Sequence, residues 1–257
     1  TPFLALIEAY RRDLGLPDEG VVDVVGEGAL GLYFYLRIQD DMIDEPATFG
    51  PSFAYAAEVF AGASAEAFAR AVGARPAFWG FRRTILDELA RVSAWELDTY
   101  RATAIAEAGA RAEEHAELLG SKLVPVAIPL AALAAAANRE DAFSWLGAHA
   151  RSLGRAMQIA NDLLNARDDH AAGRLTPALA ALYAGGRIAP ADAAFRVWPT
   201  LAGDPALAHM VTLARAHADA AVHLAVASGA PELGATTAAS AAVLGEIAPR
   251  LLRLSLG

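Results

Sequence analysis

Apolar residues recur at three- and four-residue intervals along nearly the whole chain. The pattern is interrupted by glycine and proline, and no stretch alternates with the two-residue period of a strand. The periodicity predicts a helix over residues 2–14, a turn over 15–18, and a strongly apolar helix over 21–44 ended by Pro46 and Phe49-Gly50-Pro51. Further helices are expected over 52–71, 76–93, 94–109 and 110–119, the last continuing to 137 with a bend at Pro125 and Pro129. Residues 139–165 read as one long helix or two, and 176–184, 189–201, 205–228 and 234–254 as an alanine-rich helical remainder. The expectation is an all-α fold of about ten helices, one domain over residues 1–257, bundled around a central active-site cavity.

Composition supports this picture. Alanine, leucine and arginine dominate, which favours helix. The 257 residues are 55% hydrophobic, enough for one large buried core. A net charge of −9 with no basic stripe argues against a nucleic-acid surface. There is no cysteine, which removes thiolate metal sites and disulfides. Lys122 is the only lysine. The apolar run 123–137 carries two prolines and falls short of the ~20 residues of a spanning helix, so it reads as a buried central helix with no transmembrane segment. With no secretory signal visible, a cytoplasmic location is expected.

Two polar patches stand out on otherwise apolar helices. In Leu32-Tyr33-Phe34-Tyr35-Leu36-Arg37-Ile38-Gln39-Asp40-Asp41-Met42-Ile43-Asp44-Glu45-Pro46, Arg37, Asp40 and Asp44 share a face, with Asp41 beside them. Carboxylates so crowded repel one another, and the negative end of a helix worsens this unless a cation joins them. Hard divalent cations such as Mg²⁺ take oxygen ligands of this kind together with phosphate oxygens. The second patch, Gly154 to Asp169, carries Gln158, Asn161, Asn165 and Asp169 on one face and is followed by Gly173-Arg174. Gln158 stands to Asn161 and Asn165 as Arg37 stands to Asp40 and Asp44, which suggests opposite walls of one cavity. The neutral amide oxygens predict weaker metal binding on the second wall.

At these residues the chain resembles the squalene/phytoene synthase family of class I isoprenoid synthases. Tyr33, Arg37, Asp40, Asp41, Asp44 and Pro46 match the family's first aspartate-rich signature, and Gln158, Asn161, Asp168, Asp169 and Gly173-Arg174 match the second. His115 to Leu130 is similar to the family's central helix, and the resemblance covers about residues 29–182. It implies a deep apolar pocket and three Mg²⁺ ions holding a prenyl diphosphate of ten to twenty carbons. In such a site Asp40, Asp41 and Asp44, and opposite them Asn161, Asn165 and Asp169, are metal ligands. Arg37, Lys122 and Arg174 clamp diphosphate, and Asp40, Asp44, Arg37 and Gln158 form the catalytic set. Tyr33, Phe34 and Trp79 are candidate cavity-lining aromatics, and a homodimer is compatible with the family.

The implied reaction is prenyl transfer: loss of diphosphate from an allylic carbon and formation of a new carbon–carbon bond. The chain departs from the family at Asn165, where aspartate is usual, at Leu164, where arginine is usual, and around Leu118-Leu119-Gly120-Ser121-Lys122. These departures keep single-substrate cyclisation or elimination open as the alternative, with a catalytically inert prenyl-diphosphate-binding subunit behind it. Of the three family reactions chain elongation is the weakest, because no paired arginines follow the first motif. His115 reads either as a surface residue after Glu113-Glu114 or as a base for the final cation.

Overall fold

The computed structural model describes residues 2–17, 20–44, 48, 50–100, 107, 111–247, 249–250 and 253. Pro46 and most of the helix expected over 94–109 lie outside these residues, and of Asp44 only the backbone is described. Among the described residues the secondary structure is entirely helical. The elements in order are α1 (Pro2–Asp13), α2 (Val21–Asp44), α3 (Ser52–Val72), α4 (Pro76–Trp95), α5 (Ala112–Gly120), α6 (Ala127–Ala136), α7 (Phe143–Ala171), α8 (Pro177–Ala184), α9 (Val197–Ala202), α10 (Pro205–Ala227) and α11 (Pro231–Ala241). The all-α expectation holds.

Local chemistry explains most boundaries. Pro76, Pro177, Pro205 and Pro231 each open a helix, where a missing N–H costs nothing. Thr176 and Asp204 cap α8 and α10 with side-chain oxygens that accept from Leu179 and Ala206 N–H. Gly173, at φ +68°, ends α7 in a paired-bond cap: its N–H donates to His170 O and that of Arg174 to Asp169 O. The region 139–165 resolves into a short 3₁₀ turn and one long helix, α7, running to Ala171.

α6 is the axis of the first core. Every residue from Ala127 to Ala135 is buried, and α1, α2, α3, α4 and α7 pack around it. Between α5 and α6 the chain tightens into a 3₁₀ turn (Ser121–Val126), as Pro125 removes one helical donor. Together, Glu114–Ala136 is long and apolar enough by length and composition to cross a bilayer, but 78% of its most apolar window is buried within the fold. A second core forms where the C-terminal half of α7 meets α8, α9 and α10 through Ile159, Leu163, Leu179, Val197, Leu201 and Val211. α7 therefore belongs to both cores, with Leu153 in the first and Ala156 in the second.

At that junction two backbones come into direct contact. A Cβ on Gly154 would sit 2.3 Å from Gly120 O, and one on Gly120 would sit 2.5 Å from Arg155 Cα. The end of α5 thus lies directly on α7, which fixes the position of the segment that follows, Ser121-Lys122. Gly154→Ala is expected to lower unfolding stability by about 1–3 kcal/mol through overpacking. Gly62→Ala, in α3 with nothing near its added methyl, should gain about 0.5–1 kcal/mol from helix propensity. Denaturant melts of the two variants check this, and equal effects would show that the crossing is loose.

Candidate functional site

The helix α2 ends on Asp40, Asp41 and Asp44 with no basic residue of its own in the last turn. Its carbonyl-rich end and the carboxylates add like charge, so cations must come from elsewhere. Arg37, one turn back, reaches Asp41 at 2.6 Å and Asp40 at 4.0 Å. The second cation is Lys122, whose Nζ donates to Asp40 Oδ1 at 2.9 Å and lies 2.9 Å from Glu96 Oε2. Burial alone would lower its pKa, but the Asp40 and Glu96 charges outweigh that and hold it above the ordinary lysine value.

Glu96 opens a π-helical turn (Glu96–Tyr100) that continues α4. Such turns widen the backbone spiral and re-aim side chains, often at functional positions. α4 packs on the Ser121–Val126 turn, and Arg151 of α7 clamps Glu88 of α4 through two hydrogen bonds. Glu96 is thereby held on the same side as Lys122.

On α7, Gly154 at the crossing is followed one turn later by Gln158 and two turns later by Asp162. Asp162 is buried, its Oδ1 accepts from Gln158 Nε2 at 2.8 Å, and its Oδ2 has no partner. Burial raises its pKa to about 8, Gln158 opposes this, and the charges of Asp169 and Glu96 add to the rise while Lys122 opposes it. Asp169, Glu96 and Lys122 each lie within electrostatic reach of Asp162. Asp169 is also buried, and Arg174 holds its Oδ1 at 2.9 Å. The cap at Gly173 delivers that arginine, so the Gly173-Arg174 pair ends the helix and neutralises Asp169 at once.

The predicted residues thus divide. Asp40, Lys122, Arg37 and Asp41 are joined by ion pairs at the end of α2, Gln158 bonds Asp162 on α7, and Asp169 pairs with Arg174 further along that helix. Asn161 and Asn165 are exposed and bond each other, Asn165 Nδ2 donating to Asn161 Oδ1 at 3.0 Å. Tyr33 and Phe34 are partly exposed on α2, stacked edge-on with centroids 5.5 Å apart, and Phe34 also meets Phe60. Trp79 is not brought to these groups. It packs on Phe78 and donates to Gly73 O at the start of α4, about 25 Å along the helix from Glu96 at ~1.5 Å per residue. His115, read either as a surface residue or as a base for the final cation, is buried against Trp95, and burial lowers its pKa.

Sequence reasoning missed Glu96 and Asp162. Asp162 was findable, because it stands four residues after Gln158 and seven before Asp169, on their face of α7. Glu96 carries no such periodic signal. A half-open groove of about 350 Å³ lies between α10 and α11, lined by Arg215, Ala218, Asp219, Val222 and Leu244 among others, none of them a motif residue. Compared with protein-family models, curated proteins and solved structures, the chain matches none.

For Mg²⁺, the available donors are hard oxygens: the Asp40 and Asp41 carboxylates, the Asn161 and Asn165 amides and the unpartnered Asp162 Oδ2. No group of three acidic or histidine side chains among the described residues is disposed to hold a metal alone. A Mg²⁺ ion arriving on phosphate oxygens needs only one or two carboxylates, and the donor set fits that mode.

Asp162 carries a measurable signature. Its folded pKa of about 8 lies above the ordinary 3.8, so between these values the folded chain holds a proton the unfolded chain has lost. Its contribution to stability is present at low pH and is lost as pH rises through that window, by at most about 1.4 kcal/mol per pH unit. Asp162→Asn should therefore gain stability relative to wild type as pH goes from 5 to 8 in urea melts. A pH-independent difference would show that Asp162 ionises normally.

Proposed function

We propose that this chain is a Mg²⁺-dependent isoprenoid synthase that ionises an allylic prenyl diphosphate, releases diphosphate and forms a new carbon–carbon bond. The observation that carries this reading is Lys122. It bonds Asp40 of the first motif, and the Ser121–Val126 turn that carries it packs on α7, the helix of the second motif, so one ammonium stands between the two helices that the sequence pairs.

Diphosphate is a highly charged leaving group, and its departure from carbon is the costly event. Arg37, Lys122 and Arg174 are the side chains that receive the departing charge; each is now paired with a carboxylate that a phosphate oxygen can replace. Asp40 and Asp41 would hold the metal on the first wall, with Asp44 of the same motif a further carboxylate, and the Asn161 and Asn165 amide oxygens would be the neutral donors on the second. Bound Mg²⁺ supplies Lewis-acid withdrawal of charge from the leaving oxygen. Gln158 keeps the Asp162 carboxyl in place through its amide donor. The resulting carbocation requires an apolar, water-poor hollow, and the aromatic faces of Tyr33 and Phe34 border the motif and can stabilise positive charge.

A single-substrate cyclase or diphosphate lyase is the second reading, favoured by the neutral Asn161–Asn165 pair, which weakens the second metal wall. The test is incubation with Mg²⁺ and allylic diphosphates of ten, fifteen and twenty carbons, with products identified by mass. A product of doubled carbon number identifies coupling, and one of unchanged number identifies the lyase. Asp40→Asn is expected to cut turnover by at least about a hundredfold. No diphosphate release by the wild-type chain from any substrate would overturn both readings.

A further inference from the structure

We propose that the Lys122 bridge between Asp40 and Glu96 is a lock on the metal-binding carboxylates, with Glu96 as its pivot, so that divalent metal enters only together with a diphosphate that draws the ammonium off Asp40. The inference rests on the isoprenoid synthase reading and specifies the order in which that site is loaded.

The geometry supplies the lock. Both carboxylates of the Asp40-Asp41 pair already have a cation, Lys122 at 2.9 Å on one and Arg37 at 2.6 Å on the other. A divalent ion approaching Asp40 must displace an ammonium that would then be left beside Glu96 alone. Diphosphate removes that obstacle because it offers Lys122 a new anion.

The geometry also supplies the pivot. Of the two partners of Lys122, Asp40 is the more open, its side chain 36% exposed, while Glu96 is 15% exposed. An ammonium has three donors, so Lys122 can keep Glu96 and exchange Asp40 for a phosphate oxygen on the outer side. Releasing Glu96 instead would separate the ammonium from the less exposed of its two carboxylates, the costlier break. The residue type fits the task. The chain uses arginine at every other basic position, and an arginine fork here would bind its carboxylates in a fixed plane. A lysine is a compact charge on a flexible stem whose partners can be exchanged.

The test is Mn²⁺ binding to the purified full chain, read by the loss of the free-ion electron paramagnetic resonance signal, with and without inorganic pyrophosphate and corrected for the Mn²⁺–pyrophosphate complex. Wild type should bind Mn²⁺ about tenfold more tightly when pyrophosphate is present, and Lys122→Met should reach about the same tenfold gain without it, a factor worth about 1.4 kcal/mol. Glu96→Gln should not tighten Mn²⁺ binding alone, because Lys122 then has only Asp40 of its two carboxylates, but should tighten pyrophosphate binding in the presence of Mn²⁺, because Lys122 is held back by one carboxylate fewer. A merely structural Glu96 would not produce that gain. Circular dichroism screens the variants for folding, and if Lys122→Met fails to fold, Glu96→Gln decides.

Equal Mn²⁺ affinity of wild type and Lys122→Met without pyrophosphate overturns the lock while leaving the synthase reading intact. Unchanged pyrophosphate affinity in Glu96→Gln overturns the pivot. A wild-type chain that binds neither Mn²⁺ nor pyrophosphate under any of these conditions overturns the synthase reading, and the lock falls with it.

Discussion

Where two backbones touch, at Gly120 and Gly154, the chain decides the position of its one ammonium group. Without a Cβ on either residue, α5 ends directly against α7 and the next turn carries Lys122 between Asp40 and Glu96. A side chain at either glycine would push that turn outward. The Lys122 turn sits at this level of the fold, where α7 passes from the first core to the second. Packing and electrostatics here are one constraint: the crossing that joins the cores also supplies the cation the carboxylates require.

The motif carboxylates balance their charge in three different ways. At the end of α2, Asp40 and Asp41 are met by Lys122 from another segment and by Arg37 one turn back, since the helix's own terminus opposes them. At the end of α7, Asp169 is met by Arg174, delivered by the helix cap itself. Asp162, with no cation bonded to it, is met by a proton: burial raises its pKa to about 8, so at neutral pH it is mostly the uncharged acid. An unpaired buried carboxylate has few other stable forms.

Much of the fold was legible because proline and glycine mark it so heavily. The starts at Pro76 and Pro205 and the span of α2 follow from local chemistry that acts over three or four residues. Expectations failed where the determinant was distant. The last helix was expected from residue 234, yet α11 begins at Pro231, because the Asp13 carboxylate of α1 accepts from Glu232 and Leu233 N–H and caps it from the other end of the chain. Residues 189–201 were read as one helix. Instead Pro190 and the Asp192 carboxylate, which accepts from Ala189 N–H, set a turn there, and helix resumes only at Ala194. In the site, helical spacing found Asp40, Gln158 and Asp169. It passed over Asp162, although that residue shares the face of Gln158 and Asp169, because Asn161 and Asn165 fit the same spacing, and it passed over Glu96, whose meaning depends on a lysine distant in sequence.

The same comparison alters the character of the second wall. Read as letters, Asn161, Asn165 and Asp169 are the donors opposite Asp40. In the fold the amides turn to solvent and bond each other, Asp169 is tied to Arg174, and the group aimed into the protein interior is Asp162. A wall of neutral amides, one cation-paired carboxylate and one protonated acid presents little net negative charge. For the proposed reaction that difference has a direct consequence, because a multiply charged anion approaching two ionised aspartate walls must bring enough metal to offset both. Here most of the uncompensated repulsion comes from the α2 side alone, and Lys122 and Arg37 already stand against it. The chain's own cations therefore carry a larger share of diphosphate recognition than a symmetric pair of aspartate motifs would require.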